Sequence, residues 1–309
     1  MKTALLFPGQ GSQYSGMGKD LYDNFSVARE VFDSADDYLG FKLSSICFEG
    51  DDETLKQTKF TQPAIATVSI ALLEVLKKEV DLEYSMVLGH SLGEYSALYS
   101  AGVINLEQTM KLLYKRGSLM SSVAEGGMAA VIGATDEIIK SAINEVSEVG
   151  YIGIANYNSE SQTVITGDKK ALLAIEEVFK EKGIKKFIPL QVSGAFHSDY
   201  MKKIVPEYKK FLTEFTLNDA DVPIITNVDA KAEFKATNIK DKMLEQLYSS
   251  VLWYQSIGAA VEQGCDRFLE LGPGKVLSGL NKRIVPDCNT SNISDMNSLK
   301  QFVEMVEKE

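Results

Sequence analysis

Gly89-His90-Ser91-Leu92-Gly93 fits the G-x-S-x-G pattern, and its surroundings supply what that pattern needs physically. Tyr84–Leu88 reads as a strand before it, and a helix is predicted from about Leu92. Between them, a tight and strained turn pushes the Ser91 hydroxyl out of the sheet edge as a nucleophile. The glycines two residues to either side let neighbouring backbone pass close by. The first N–H groups of the helix are free to hold an oxyanion. Serine also needs a base. The chain has two histidines. His90 leaves the turn in another direction and reads as a packing residue. His197 lies 106 positions after Ser91, in a loop that follows a predicted strand, where a base at a sheet edge belongs.

Arg116 is the third chemical outlier. The helix over residues 106–123 has an apolar face built from Met110, Leu112, Leu113, Leu119, Met120 and Val123. Arg116 lies three or four residues from four of these, so it falls on the apolar face. Lys111 and Lys115 point elsewhere. A cation inside an apolar stripe needs a partner. That partner is either a structural Asp or Glu, or a carboxylate ligand gripped through two parallel hydrogen bonds.

A serine with a histidine base allows a hydrolase or an acyltransferase, both through an acyl-serine. A hydrolase calls for a third, acidic residue between Ser91 and His197 in chain order. Asp136, Asp168 and several glutamates lie there, and spacing does not choose among them. A non-enzymatic carboxylate-binding protein leaves the serine turn unexplained. Two other glycine patterns fail. Gly9-Gln-Gly11-Ser-Gln-Tyr14 has tyrosine where a dinucleotide fingerprint needs its third glycine. Gly272-Pro-Gly274-Lys275 has Leu269 where a phosphate loop needs its first glycine, and Val276 in place of Ser or Thr. Both read as turns between strands and helices.

The positioning elements follow from hydrophobic periodicity. Lys2–Phe7 is a buried strand that runs into the Pro8–Gln13 loop, with a helix from about Asp20. Pro63–Lys78 is an amphipathic helix, with Ile65, Val68, Leu72 and Leu76 on one face. Asn105 to Gln108 has capping-box spacing and opens the Arg116 helix. Strand, helix, strand, strand, helix and strand then follow at Met128–Gly133, Asp136–Ser147, Tyr151–Asn156, Thr163–Thr166, Lys169–Lys182 and Lys186–Val192. That is the βαββαβ, ferredoxin-like order of a compact insert. A helix from about Met201 and strands at Pro223–Val228 and Arg267–Leu271 complete the pattern. Strands alternating with helices imply an α/β fold around a parallel sheet.

Composition narrows the chemistry. The chain has 309 residues, 45% hydrophobic and 24% charged, as a globular protein does. A net charge of −11 disfavours nucleic acid and anionic membrane surfaces. Two histidines exclude a multi-histidine metal site. Cys47, Cys265 and Cys288 are odd in number and widely spaced, which fits neither a disulfide framework nor a cysteine zinc site. No uncharged apolar run approaches the ~20 residues of a membrane span, and the N-terminus does not read as a signal peptide. The expectation is a cytoplasmic protein.

Over nearly its whole length the chain resembles the malonyl-CoA:acyl carrier protein transacylase family. The resemblance is carried, in order, by Phe7-Pro-Gly-Gln-Gly-Ser-Gln13, Thr61-Gln-Pro-Ala64, Gly89-His-Ser-Leu-Gly-Glu-Tyr-Ser-Ala97, Arg116-Gly117 and Gly126-Gly-Met-Ala129. It continues through Gly194-Ala-Phe-His-Ser198, Asn227-Val-Asp229, Gln246-Leu-Tyr248 and Glu270-Leu-Gly-Pro-Gly-Lys275. It implies a large α/β-hydrolase-like subdomain (residues 1–125 and 194–309) and an inserted ferredoxin-like one (126–193), with the site in the cleft between them. It implies Ser91 as nucleophile, His197 as base, the main-chain N–H groups of Gln10 and Leu92 as oxyanion donors, and Arg116 as clamp for a malonyl carboxylate. In place of a required acid, it implies that backbone carbonyls near Gln246 orient the histidine. Phe196, in the Ala-Phe-His pattern, would crowd a methyl-branched substrate. The implied reaction is ping-pong transfer from malonyl-CoA to acyl carrier protein for fatty acid synthesis, with no cofactor and no metal. A monomer is expected. Because carrier proteins are acidic, Lys182, Lys185 and Lys186, and Lys202 and Lys203, are expected to flank the cleft. Lys282 and Arg283 form a third basic group.

Overall fold

Alternate residues of the first strand face two different cores, and this sets the architecture. In the computed structural model, which describes residues 2–306, β1 (Thr3–Phe7) is buried along its whole length. Leu5 and Phe7 pack into one apolar cluster, Ala4 and Leu6 into another, as the two-residue period of a strand requires when both faces are covered. The chain continues through α1 (Lys19–Asn24), α2 (Ser26–Leu39), α3 (Leu43–Glu49), α4 (Asp52–Lys56) and α5 (Thr58–Glu79), then β2 (Met86–Gly89), α6 (Gly93–Ser100) and α7 (Leu106–Ser122). After the insert come a 3₁₀ turn (Asp199–Ile204) and α10 (Val205–Leu212). They lead to β7 (Ile224–Ile225), β8 (Ala232–Glu233), α11 (Ala236–Glu245), α12 (Trp253–Glu262), β9 (Arg267–Leu271), α13 (Val276–Ile284), β10 (Asn289–Ile293) and α14 (Met296–Val306).

The large sheet has the order β10-β9-β1-β2-β7-β8. Every neighbouring pair is parallel except β7 with β8. Helices α2, α5 and α7 cover one face. On the other, Trp253 and Ile257 of α12 and Leu277 and Leu280 of α13 close over Ala4, Leu6, Met86 and Leu88.

Helix α5 starts five residues before the expected Pro63, with the proline inside it. Pro63 offers no N–H to the Lys59 carbonyl, but that carbonyl lies in the first turn, where the loss is small. Farther along, Ala64–Leu73 are buried without interruption. By length and composition α5 could cross a membrane, yet 83% of its apolar window is inside the protein. It is the central core helix.

The insert has the predicted element order: β3 (Gly127–Ile132), α8 (Asp136–Glu145), β4 (Ile152–Ser159), β5 (Gln162–Gly167), α9 (Lys169–Glu181) and β6 (Lys186–Pro189). Its strands form a separate antiparallel sheet, β4-β5-β3-β6. Ile139, Ala142, Leu172, Ile175 and Phe179 of its helices share a core with Ala129, Val131 and Ile165.

Three expected elements are shorter or altered, each where the chain turns toward the site. β6 ends at Pro189, and Leu190 and Val192 line the cleft instead. The strand expected over residues 223–228 pairs only at Ile224 and Ile225, because Thr226 and Asn227 turn away, with Ala230 at φ 54°. The helix expected from Met201 opens as the 3₁₀ turn.

Candidate active site

Ser91 sits at φ 53°, in the left-handed region that a non-glycine residue rarely occupies. The two glycines of the motif explain how the turn closes. A Cβ on Gly89 would meet the Gly93 carbonyl carbon at 2.0 Å, and one on Gly93 would meet the Phe7 carbonyl oxygen at 2.1 Å. Side chains at either place would push β1, the turn and α6 apart.

The Ser91 Oγ lies 2.8 Å from His197 Nε2. On the far side of the ring, Nδ1 is 2.9 Å from the Gln246 carbonyl oxygen and 3.2 Å from that of Ser249. Carbonyls only accept, so Nδ1 carries the proton and Nε2 presents its lone pair to the serine hydroxyl. No acid is needed for this. Asp136 stands in the first turn of α8, and Asp168 accepts from the Tyr151 N–H and the Tyr200 hydroxyl. His197, like Ser91, is held at positive φ, 55°.

Arg116 is fully buried. Its Nη2 donates to the Gln246 Oε1 at 2.9 Å and to Ser91 Oγ at 3.1 Å, while Nε and Nη1 have no partner among the described residues. The guanidinium lies 5.7 Å from the centre of the Tyr95 ring, and the Tyr95 hydroxyl is fixed at 2.7 Å from that of Tyr208. Of the two readings for this cation, a structural ion pair is absent among the described residues. Lys111 and Lys115 do point elsewhere, pairing with Glu107 and Glu207.

Gln246 joins these groups. Besides the contacts already given, its Nε2 donates to the Ser91 carbonyl at 2.9 Å and to Asn227 Oδ1 at 3.3 Å. Gln10, Leu92 and Phe196 border the same cleft of about 90 Å³, with Met120 on one side and Met128, Asn156 and Leu190 of the insert on the other. That volume equals roughly three waters' share of the liquid, enough for a short acyl group. The main-chain N–H groups of Gln10 and Leu92 have no hydrogen-bond partner among the described residues. A larger open groove of about 660 Å³, bordered by Tyr84, Tyr99, Asn105 and Asp221, touches none of these residues.

Sequence reasoning did not assign roles to Asn227, Glu94 or the Ser249 carbonyl. Asn227 Oδ1 accepts the Ser91 N–H at 2.8 Å, and Glu94 Oε2 accepts the Asn227 N–H at 2.7 Å. The available signal was a polar Asn227-Val-Asp229 stretch directly after an apolar strand. His90 packs as expected, its ring 5.6 Å from that of Trp253 and its Nε2 2.9 Å from Asn158 Oδ1. The Gly272 turn is a strand-to-helix connection in which Glu270 accepts the N–H groups of Leu277 and Ser278. Among the basic groups expected beside the cleft, Lys182, Lys202 and Lys203 are engaged with Glu145, Asp199 and Glu125. This lowers the local positive charge on which a sequence-based docking argument relied.

Two buried titrations oppose one another. Burial, with Arg116 and His90 nearby, pushes His197 down to about 3. Burial pushes Glu94 up to about 7. Unfolded histidine takes a proton near 6.5, so below that pH the unfolded chain binds the extra proton and stability falls with acid. Folded Glu94 is protonated before its unfolded counterpart at 4.5, so acidification from 7 to 4.5 favours the fold. The two contributions cancel between 4.5 and 6.5, and only the histidine cost remains below 4.5. Denaturant titrations should therefore show His197→Gln losing less stability than wild type between pH 4.5 and 3.5. Parallel losses would contradict the neutral imidazole.

Known proteins resemble the whole chain. The acyl transferase domain family model matches residues 4–299. The chain is 43% identical to the malonyl CoA-acyl carrier protein transacylase of Bacillus subtilis, over 100% of this chain and 98% of that protein. The structure of malonyl CoA-acyl carrier protein transacylase from Clostridium perfringens superposes with a TM-score of 0.95 at 37% identity, covering 100% of this chain and 98% of that one. A malonyl-transacylase in complex with its type II PKS acyl-carrier protein also gives a TM-score of 0.95 at 37% identity, covering 99% and 100%. With a half-buried serine hydroxyl on a buried imidazole, beside a buried guanidinium that has no carboxylate partner among the described residues, and with similarity to these proteins from end to end, the chain belongs to the malonyl CoA-acyl carrier protein transacylases of the acyl transferase family.

Proposed function

We propose that this protein moves a malonyl group from malonyl-CoA to the phosphopantetheine thiol of an acyl carrier protein, through an ester on Ser91, and so supplies fatty acid synthesis. The observation that carries this reading is the buried Arg116, unpaired on two of its nitrogens, within hydrogen-bond reach of the same oxygen that His197 faces. The malonyl carboxylate pairs with Arg116. His197 Nε2 takes the Ser91 proton as the oxygen attacks the thioester carbonyl carbon. The oxyanion rests on the N–H groups of Gln10 and Leu92. The carbon–sulfur bond then breaks, and the departing sulfur takes the proton from His197. In the second half the carrier thiol gives its proton to His197 and attacks the ester. The Ser91 oxygen leaves and recovers a proton. Phe196, buried against the cleft, crowds the carbon that a methyl branch would occupy. The relative seen with its acyl-carrier protein supports the choice of partner. The reading needs no cofactor, and it places the protein in the cytoplasm as a monomer.

Intact mass after mixing with malonyl-CoA tests this directly. We expect a gain of one malonyl group, absent in Ser91→Ala and discharged when holo acyl carrier protein is added. Steady release of free malonate without carrier would make the protein a hydrolase. The lack of both adduct and turnover would leave only a binding module.

A further inference from the structure

A left-handed serine must be held in place, and the structure shows what holds it. Asn227 spans the turn with its side-chain amide: Oδ1 accepts the Ser91 N–H at 2.8 Å, and Nδ2 donates to the Gly89 carbonyl at 2.7 Å. The same Oδ1 takes the Gln246 Nε2–H at 3.3 Å, so one oxygen is shared by the nucleophile turn and by the residue that contacts both Arg116 and His197. Asn227 is itself fixed from behind. Its N–H donates to Glu94 Oε2 at 2.7 Å, and its carbonyl accepts from the Leu252 N–H at 2.9 Å. Glu94 is 2% exposed and makes no salt bridge among the described residues. Besides the Asn227 N–H, the Gln246 side chain and the Arg116 charge favour its ionised form against the cost of burial, which ties Glu94 to the groups around Ser91.

We propose that Glu94 and Asn227 are positioning residues for the acyl transfer: the Glu94 carboxylate fixes the Asn227 main chain, and the Asn227 amide clamps both sides of the Ser91 turn so that Oγ faces His197 and the incoming carbonyl. This rests on the malonyl-transfer reading above and deepens it. Neither residue reaches the cleft, so their effect falls on the geometry of attack rather than on substrate affinity. A displacement near 1 Å at the reacting atoms costs about a hundredfold in rate. Glutamine at position 94 keeps an oxygen that can accept the Asn227 N–H; alanine does not.

The test measures pre-steady-state loading of Ser91 by malonyl-CoA across substrate concentrations, alongside melting temperatures. Asn227→Ala should lower the maximal loading rate about a hundredfold and leave the half-saturating concentration within about threefold of wild type. Glu94→Gln should load within about fivefold of wild type and Glu94→Ala at least about tenfold more slowly than Glu94→Gln. Should Glu94→Ala fail to fold, Asn227→Ala and the wild-type-like rate of Glu94→Gln decide the matter. A folded Asn227→Ala with an unchanged maximal rate, a loss confined to half-saturation, or Glu94→Gln loading no faster than Glu94→Ala would overturn the proposal. Wild-type protein that takes up no malonyl group would instead bring down the reading of the whole site, and this inference with it.

Discussion

His197→Ala should slow the loading of Ser91 from malonyl-CoA by three to four decades, roughly the upper range for a single general base, with the adduct still forming on Ser91 at long times. The imidazole is the only base within reach of the hydroxyl among the described residues, at 2.8 Å. What persists in the variant comes from the oxyanion donors and from substrate positioning. The pH profile gives a second check. The free-enzyme imidazole, pushed down to about 3, is already unprotonated at pH 5, so kcat/KM should show no acid limb between pH 5 and 8. An imidazole of such low basicity would be a poor base if it stayed that way. Arg116 is one of the charges depressing it, and a bound malonyl carboxylate neutralises Arg116, so basicity rises once the right substrate is in place. A histidine limb near pH 6.5 in kcat/KM would overturn the depressed basicity of the free imidazole, and a His197→Ala variant that loads within tenfold of wild type would remove the assignment.

Local rules made the chemistry legible and left its support hidden. Gly89 and Gly93 announced the serine turn because a Cβ at either position would come within about 2 Å of neighbouring backbone. Arg116 announced itself through its spacing from Leu112, Leu113, Leu119 and Met120, which the helical period alone places on one face. The insert was legible because each strand and helix carries its own period. Pro63 misled: a proline usually opens a helix, but here the first turn lies before it and tolerates the missing donor. The group that orients His197 could not be found by searching for an acid, since main-chain carbonyls do the work and carry no side-chain signature. Gln246 came only through family resemblance, and Glu94 and Asn227 were read as motif letters without a role. Their contacts cross 133 and 136 positions and end on backbone N–H groups, which no pattern of side chains reports. Surface charge misled in a third way: Lys182, Lys202 and Lys203 are basic in the sequence and paired in space.

Arg116→Ala should reverse the preference for malonyl over acetyl thioesters, with malonyl loading falling by two to four decades and acetyl loading changing far less. The magnitude follows from the burial. A guanidinium with no exposed surface and two unpaired nitrogens binds a carboxylate as its missing partner. Leaving such a charge unpaired costs about 3–5 kcal/mol, and each 1.36 kcal/mol corresponds to about a decade in rate. An acetyl group leaves that charge unpaired; a malonyl group does not. The hydrogen bond from Nη2 to Ser91 Oγ, 3.1 Å long, adds a kinetic reason. In the empty site the cation draws on the same oxygen that must attack, which lowers its nucleophilicity. A carboxylate arriving at Nη1 or Nε competes for the guanidinium and weakens that hold, so malonyl-CoA helps to activate the serine that it acylates. Acetyl-CoA meets a serine still held. Removing the guanidinium therefore removes both the clamp on malonyl and the restraint on acetyl, and acetyl loading should stay level or rise. Arg116→Lys keeps the charge but not the planar fork, and should fall between the two. Loading rates for the two thioesters, measured on the same preparations by intact mass, decide it. Equal losses for malonyl and acetyl would mean that Arg116 serves the fold or the serine alone and takes no part in recognising the carboxylate.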